Sequence, residues 1–527
     1  MSAELVLASL ATADLAIKYG KVLLDLYKCF IGAEELDDRI LCIEFICISN
    51  YKQVTFLKKI WGSLDEEHQN LQGRIMQKLV AKLEDAINQI ESVLKKKDHD
   101  DGNTIIGVKK WKYVFWAKES MDKTIQELQE WQRMFDPSWY LIMKIADPVI
   151  DEELARDDEG EKTKYGSLRH GFITTAKGVR DSLRTETHSQ PSIFLPDIRF
   201  ASSHKTPISY CTAEIFIRPN GKTYLLDSVA CLPGVDTDIL NKDVRDLARK
   251  LSGTDPLTFG LLRCRGVIKV FDETKIPKKL LSYDFVFYIP EGLRNPRSLR
   301  SVLITAGKEI SLSARFRVAQ QLAQSVSYVH TYGFVHKNVR PDTVLVFEDY
   351  TNGSTQSASF LLGFEKFRPA EGRTIRAGDS AWEKDLYRHP RRQGLKPEDA
   401  YLMQHDIYSL GVCLLEIGLW ETFVTYPFGE GLGSASPSPL LAVLNEPEDD
   451  IVNKASLVKD ALVQLSKKKL PACMGDKYTN IVVSCLTCLD ESSLDFGDDS
   501  EFKDEDGVLI GVRYISKILL QLNQISI

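Results

Sequence analysis

The apolar residues change their period partway along this chain, and that change limits what it can fold into. Over residues 3–140 they recur at helical spacing, with almost no strand-like alternation. Leu36, Ile40, Ile43, Cys47, Val54, Leu57 and Trp61 form one stripe, and Leu71, Ile75, Leu79, Ala86, Ile90 and Leu94 a second. Trp111, Phe115, Met121, Ile125, Leu128 and Phe135 form a third. Stripes of this kind are buried against one another, so residues 1–150 are expected to be an all-α bundle of four or five helices. Ser63, with Glu66 three residues on, is placed to cap the helix that carries the second stripe, and the polar run 97–103 breaks the pattern.

Residues 151–164 crowd acids and bases around a glycine and read as a solvated linker. Leu168, Phe172, Ala176, Val179 and Leu183 then mark one helical face, so 151–190 is expected to be a charged linker with a brace helix, or a surface helix of the nearer domain. From 191 the pattern turns to short β-branched and aromatic runs at 208–218, 222–231, 258–271 and 283–290. Pro219-Asn220-Gly221-Lys222 supplies a hairpin turn, and 236–251 is helical. From Leu312 helices dominate, ending with Val508, Val512, Ile515, Leu519 and Leu522 on one face. A small β-rich lobe (191–292) followed by a larger helical lobe (293–527) makes the second part α+β. At 527 residues, more than one core is expected.

In the larger lobe, His336-Lys337-Asn338-Val339-Arg340-Pro341-Asp342-Thr343 resembles the protein-kinase catalytic loop H-R-D-L-K-P-E-N. The run from Asp406-Ile407-Tyr408-Ser409-Leu410-Gly411 to Glu416 is similar to the kinase central helix D-x-[WY]-S-x-G-V-x-L-x-E. Together they make the chain from about Phe194 onward resemble a two-lobed kinase domain, in which Asp406 would bind the backbone of the catalytic loop as a structural anchor. The resemblance also implies what is missing. Asn338 stands at the position of the catalytic base, Thr343 at that of a metal-holding Asn, and Gly363-Phe364-Glu365 at that of D-F-G. An amide has no basic lone pair near neutral pH, Gly363 offers no metal ligand, and Glu365 comes too late to serve the same metal. No G-x-G-x-x-G opens the small lobe, and the strand at 222–229 has Asp227 where V-A-I-K has its cation.

His336 and Arg340 are read as retained structure. Tyr387-Arg388-His389-Pro390 resembles the A-P-E end of the activation segment without its Glu. Loss of a general base alone typically costs about 10²–10⁴ in rate. The expected protein is thus a pseudokinase with no catalytic residue, no metal and no cofactor; ATP binding stays open, since a cleft can hold ATP without turning it over, but these residues do not support it. A kinase with an atypical mechanism and a non-enzymatic scaffold stay open as alternatives.

The bundle has its own resemblance. Ala3-Glu4-Leu5, Asp14-Leu15-Ala16-Ile17-Lys18-Tyr19-Gly20, Trp61-Gly62-Ser63-Leu64 and Trp131-Gln132-Arg133-Met134-Phe135-Asp136-Pro137-Ser138-Trp139 make it similar to HeLo and HeLo-like domains of the fungal prion-inhibition and propagation group. That group implies a membrane-perturbing effector in programmed cell death, held in check by an attached sensor. Lys95, Lys96, Lys97, Lys109, Lys110 and Lys112 flank one loop and are the expected lipid contacts, each worth about 1 kcal/mol near an anionic surface. Helix-ending lysines beside a solvated loop are the alternative. No uninterrupted run reaches the roughly 18 apolar residues of a spanning helix, so membrane association is expected to be conditional.

A net charge of −7 gives no reason to expect nucleic acid; proteins or lipids, and a homo-oligomer on activation, are the expected partners. The ten cysteines are scattered through apolar neighbourhoods with no dense framework, and Cys485 and Cys488, in an apolar helix-like run, read as buried thiols. With no signal-peptide pattern they fit a reducing, cytoplasmic compartment, with membrane association on activation.

Overall fold

The three apolar stripes fall in helices α2 (Asp37–Lys59), α3 (Glu66–His99) and α4 (Ile106–Ile142), which follow α1 (Ala3–Lys28), all in the first of two units, 1–177 and 178–527. The computed structural model describes residues 3–30, 36–99, 106–145, 147–158, 172–183, 192–196, 204–218, 221–231, 236–272, 274–276, 278–305, 310–349, 356–364, 367–369, 381–394, 401–427, 434–445, 451–491, 493, 495–496 and 508–525. Aromatic rings fill the bundle centre: Trp131 stacks on Phe135 at 4.9 Å, and Phe56 meets Trp139 edge-on at 5.1 Å. The buried indole N–H of Trp131 donates to the Ile75 carbonyl at 2.8 Å.

Three expectations for this unit are corrected. Phe115 is half exposed, because the buried seam of α4 runs through Ala117, Met121, Thr124, Leu128, Trp131 and Phe135 at heptad spacing and bypasses it. Asp65, not Ser63, caps α3: its Oδ1 accepts from the His68 N–H at 2.8 Å, while Ser63 lies inside the 3₁₀ turn Trp61–Ser63. The linker begins later than 151, since Pro148–Asp158 is a helix, α5. It buries Ile150 and Leu154, and its Glu153 pairs with Lys59 at 2.6 Å. An i,i+4 apolar pair among many charges is easily read as solvated chain.

By length and composition α2 could cross a membrane, although 50% of its most apolar stretch is buried in the bundle, as in a core helix. A search for an uninterrupted apolar run misses it, because Glu44 and Lys52 interrupt residues 40–57. Helix α6 (Phe172–Leu183), in the stretch expected to be a brace, buries Ile173, Ala176 and Val179; Leu168 lies outside the described residues.

The strands of the second unit begin with β1 (His204–Pro207), β2 (Glu214–Ile217) and β3 (Thr223–Ala230). After α7 (Thr237–Ser252) and the short α8 (Pro256–Phe259) come β4 (Cys264–Asp272) and β5 (Lys279–Tyr288). These strands make one antiparallel sheet in the order β1-β2-β3-β5-β4, cored by Phe216, Tyr224, Leu226, Ile268 and Val286. Asp236 caps α7 by accepting from Asp238 and Ile239. The strand expected over 208–218 is in fact a loop to residue 213, because β1 ends at Pro207 and Tyr210 takes φ +55°, outside any strand. Residues 258–263 are likewise not strand: α8 ends on Gly260 at φ +62° before β4 begins.

The larger lobe contains β6 (Leu293–Ser298), α9 (Leu299–Thr305), α10 (Leu312–Thr331), β7 (Phe334–Val335), β8 (Val344–Asp349), β9 (Gln356–Leu361) and β10 (Arg368–Pro369). It continues through α11 (Trp382–Asp385), α12 (Met403–Leu419), α13 (Ile451–Leu486) and α14 (Val508–Tyr514). Nearly every residue of α12 is buried. Gly411 lets α13 approach closely, since a Cβ there would stand 2.7 Å from Cys485 Cβ. Cys488 donates to the Gln404 carbonyl, and burial pushes both thiols far up, so the C-x-x-C pair is packing material. The chain is therefore an all-α unit followed by an α+β unit of antiparallel sheet and helices.

Candidate functional site

The site is built where α10 runs through β7 into the loop 336–340, the 3₁₀ turn Pro341–Thr343 and β8. Asp406, fully buried near the start of α12, organises it. Its carboxylate accepts from the backbone N–H groups of His336 (2.7 Å) and Lys337 (2.9 Å), from the Tyr401 hydroxyl (2.7 Å), and faces His330 Nε2 at 3.2 Å. Burial alone would raise its pKa, but these partners outweigh it and hold the carboxyl below its ordinary value. The loop is thereby fixed with Lys337 at φ +63°. His336 is buried with its ring 4.9 Å from that of Phe364, the contact of a packing residue.

Asn338, Thr343 and Gly363 come together behind this loop. The Asn338 amide donates to the Gly363 carbonyl at 3.1 Å, and its oxygen accepts from Arg340 Nε at 2.9 Å, so both ends of the side chain are engaged within the protein. The Thr343 hydroxyl lies 2.8 Å from the Asn338 carbonyl and 2.9 Å from that of Arg340. Gly363 sits at φ +81°, and a Cβ on it would stand 2.7 Å from Thr343 Cβ. Metal-assisted phosphotransfer needs carboxylate and amide oxygens facing an open space. Here an amide is spent on the backbone, a threonine methyl fills the gap, and a glycine has no room for a side chain. These residues do not fit a kinase metal site. Among the described residues no group of three or more His, Cys, Asp or Glu could hold a metal ion. Glu365 lies outside the described residues. The hollow beside Lys337, Asn338, Arg340 and Tyr387 measures about 10 Å³, scarcely the room of one water.

Asp227, noticed in the sequence only as a missing cation, has a definite role in the structure. It is 1% exposed, and its Oδ2 accepts from the backbone N–H groups of Gly363 (2.9 Å) and Phe364 (3.2 Å). Its Oδ1 accepts from the Thr212 hydroxyl at 3.3 Å, in the loop 208–213. That loop turns inward: Ser298 Oγ donates to the Ser209 carbonyl at 2.6 Å, and the Tyr210 and Tyr426 rings lie 4.9 Å apart. A strand acid thus fastens the small lobe to the segment where kinases carry D-F-G. One signal could have found it: a lone acid flanked by Leu225, Leu226 and Val229 must have buried partners.

A second buried network surrounds Arg300, at the start of α9, which sequence reasoning passed over. Its guanidinium, 1% exposed, meets Asp342 at 3.1 Å, Glu416 at 3.0 Å and the Tyr387 hydroxyl at 2.6 Å; Tyr387 in turn donates to Glu416 at 2.8 Å. Burial would raise the Asp342 pKa, but Arg300 and Arg340 hold it below the usual carboxylate range. The segment that lacks the A-P-E glutamate is therefore tied down by a phenol. Arg340 stays with this structural set, 3.7 Å from Asp342.

Three buried histidines are expected to make the unit acid-sensitive. Burial, the largest cause in each case, lowers His336 to about 4 and His389 and His405 to about 3, from an ordinary 6.5. The unfolded chain takes up protons near pH 6.5 that the native state refuses until these lower values. Stability is expected to fall as pH drops from 6.5 toward 4, with a slope approaching three protons, while Glu416, raised by burial, opposes by at most one. Urea midpoints at several pH values check this, and a flat profile across that window would refute it.

Lys95, Lys96 and Lys97 fall at the end of α3, and Lys109, Lys110 and Lys112 at the start of α4; their side chains lie outside those described. No family model matches the chain. Over 108 residues it is 31% identical to a serine/threonine-protein kinase-like protein of Arabidopsis thaliana, a stretch that covers 20% of this chain and 27% of that protein. This weak likeness over a fragment supports a kinase-like fold and no more.

Proposed function

We propose that this chain is a pseudokinase-type signalling protein, whose kinase-like unit engages partners without transferring phosphate and whose helical bundle is the effector, of HeLo type. The observation that carries the reading is the closed constellation of Asn338, Thr343, Gly363 and Asp227, in which each group a kinase would turn toward nucleotide and metal is engaged within the chain. No general base, metal ligand or phosphate-facing cation is left among the described residues at these positions. For the effector role, α2 exposes Leu41, Phe45, Ile48 and Tyr51 along one side, more apolar surface than a helix needs merely to be soluble.

The full-length protein with ATP and either magnesium or manganese tests the first half. No thermal shift and no incorporation of label are expected. Asp227→Asn should cost about 1–2 kcal/mol of stability, by weakening a charge-assisted pair of hydrogen bonds, without admitting nucleotide. Metal-dependent labelling that vanishes on Asn338→Ala would overturn the reading in favour of an atypical kinase. Co-sedimentation of the protein with anionic vesicles tests the second half; if vesicles are ignored, the bundle is an interaction module and the chain a scaffold.

A further inference from the structure

The bundle has a cavity of about 220 Å³ between α1, α2 and α3, walled by Ala16, Ile17, Leu24, Val54, Leu79 and Leu83. Three further residues distinguish it from a packing gap. Gly20 lies in the interior of α1, where glycine weakens a helix relative to alanine. Nothing in the packing calls for it, since a Cβ at Gly20 would meet no atom within 4 Å, whereas one at Gly73 in α3 would stand 2.9 Å from Ser9 Oγ. The missing side chain at 20 keeps the cavity open.

Asn50 also lines the cavity; it is 5% exposed, and neither polar atom of its carboxamide has a partner. A buried amide in that state calls for a ligand or a water. At the rim, Lys21 holds its ammonium 5.4 Å from the centre of the Tyr51 ring. Gly20 and Lys21 on α1 therefore stand level with Asn50 and Tyr51 on α2. Apolar walls, one unpaired amide and one cation at the opening together describe an amphiphile with an anionic head.

We propose that this cavity binds a short aliphatic chain ending in a carboxylate, taken up as the free acid. The chain would lie against the leucines, and the carboxylate would accept from the Asn50 amide and the Lys21 ammonium. The site goes beyond the signalling role proposed above and does not depend on it: it would stand even if the kinase-like unit bound nucleotide.

Calorimetric titration of the full-length protein with decanoate, decylammonium and decanol tests it. Saturable binding of decanoate is expected, about tenfold or more tighter than decylammonium. Lys21→Glu should reverse that order while leaving the cavity intact. Gly20→Leu should abolish binding with an unchanged or higher Tm, because leucine is the better helix former and enters open space; Gly20→Ala should bind weakly. No saturable binding to the parent protein, or full binding by Gly20→Leu, would overturn the proposal. Phosphatidylserine vesicles distinguish the source: if these bind in a Gly20-dependent way and decanoate does not, the occupant is a bilayer acyl chain and the free-acid assignment is wrong.

Discussion

Arg300→Met is expected to destabilise the kinase-like unit by about 3–5 kcal/mol, the range for removing one partner of a buried ionic network. The guanidinium is the only cation within ion-pairing distance of Glu416 among the described residues, and it shares Asp342 with Arg340. Methionine has a similar length, so little packing is lost and the cost is electrostatic. Glu416 would be left charged in a site from which water is excluded, or would have to take up a proton, its pKa already being raised by burial. The Tyr387 hydroxyl would lose its donor, and the end of the activation-like segment would lose its tie to α9. The urea midpoint of the full chain measures this. Arg300→Met combined with Glu416→Leu and Asp342→Asn should recover much of the loss, because a network removed whole leaves no orphaned charge. A single substitution that costs under about 1 kcal/mol would show the network to be solvated, and the account of this centre wrong.

The legible and illegible parts of this molecule divide by range along the chain. Helical stripes are local, so the buried faces of α2 and α3 could be read from spacing, down to Leu71 and Ile75. Asp406 was legible for another reason: a motif carries its partner with it, and the loop that it binds begins at His336. Asp227 and Arg300 belong to neither class. Their partners, Gly363 and Glu416, lie far along the chain, and nothing periodic links them. The loop 208–213 was misread because its β-branched and aromatic residues have strand propensity, and only the tertiary contacts of Ser209 and Tyr210 override it. Helix α5 was hidden by its charges, although two apolar residues sufficed to dock it. In each case the missed residue pays its way through a polar or packing contact made only after the chain has folded.

Gly363→Ala is expected to cost about 2–4 kcal/mol, from overpacking and a left-handed backbone together. At φ +81° an L-residue carries a strain of about 1–2 kcal/mol, and the added Cβ would press on Thr343 and stand 3.3 Å from Asn338 Nδ2. Gly363→Asp should be worse, because its carboxylate would arrive beside Asp227, which already binds the N–H groups of residues 363 and 364. The Thr343→Ala background separates the terms: without the threonine methyl the Gly363→Ala penalty should drop to the strain alone, a coupling that a double-mutant cycle reads directly. Additive penalties would mean that Thr343 does not fill the space beside Gly363. Coupling has a consequence for chemistry. Placing an acid at 363 first destabilises the fold, and Asn338→Asp alone gives a base with no metal site to work beside. Because the positions are coupled, Gly363→Asp and Asn338→Asp are each expected to yield a less stable protein and no phosphotransfer.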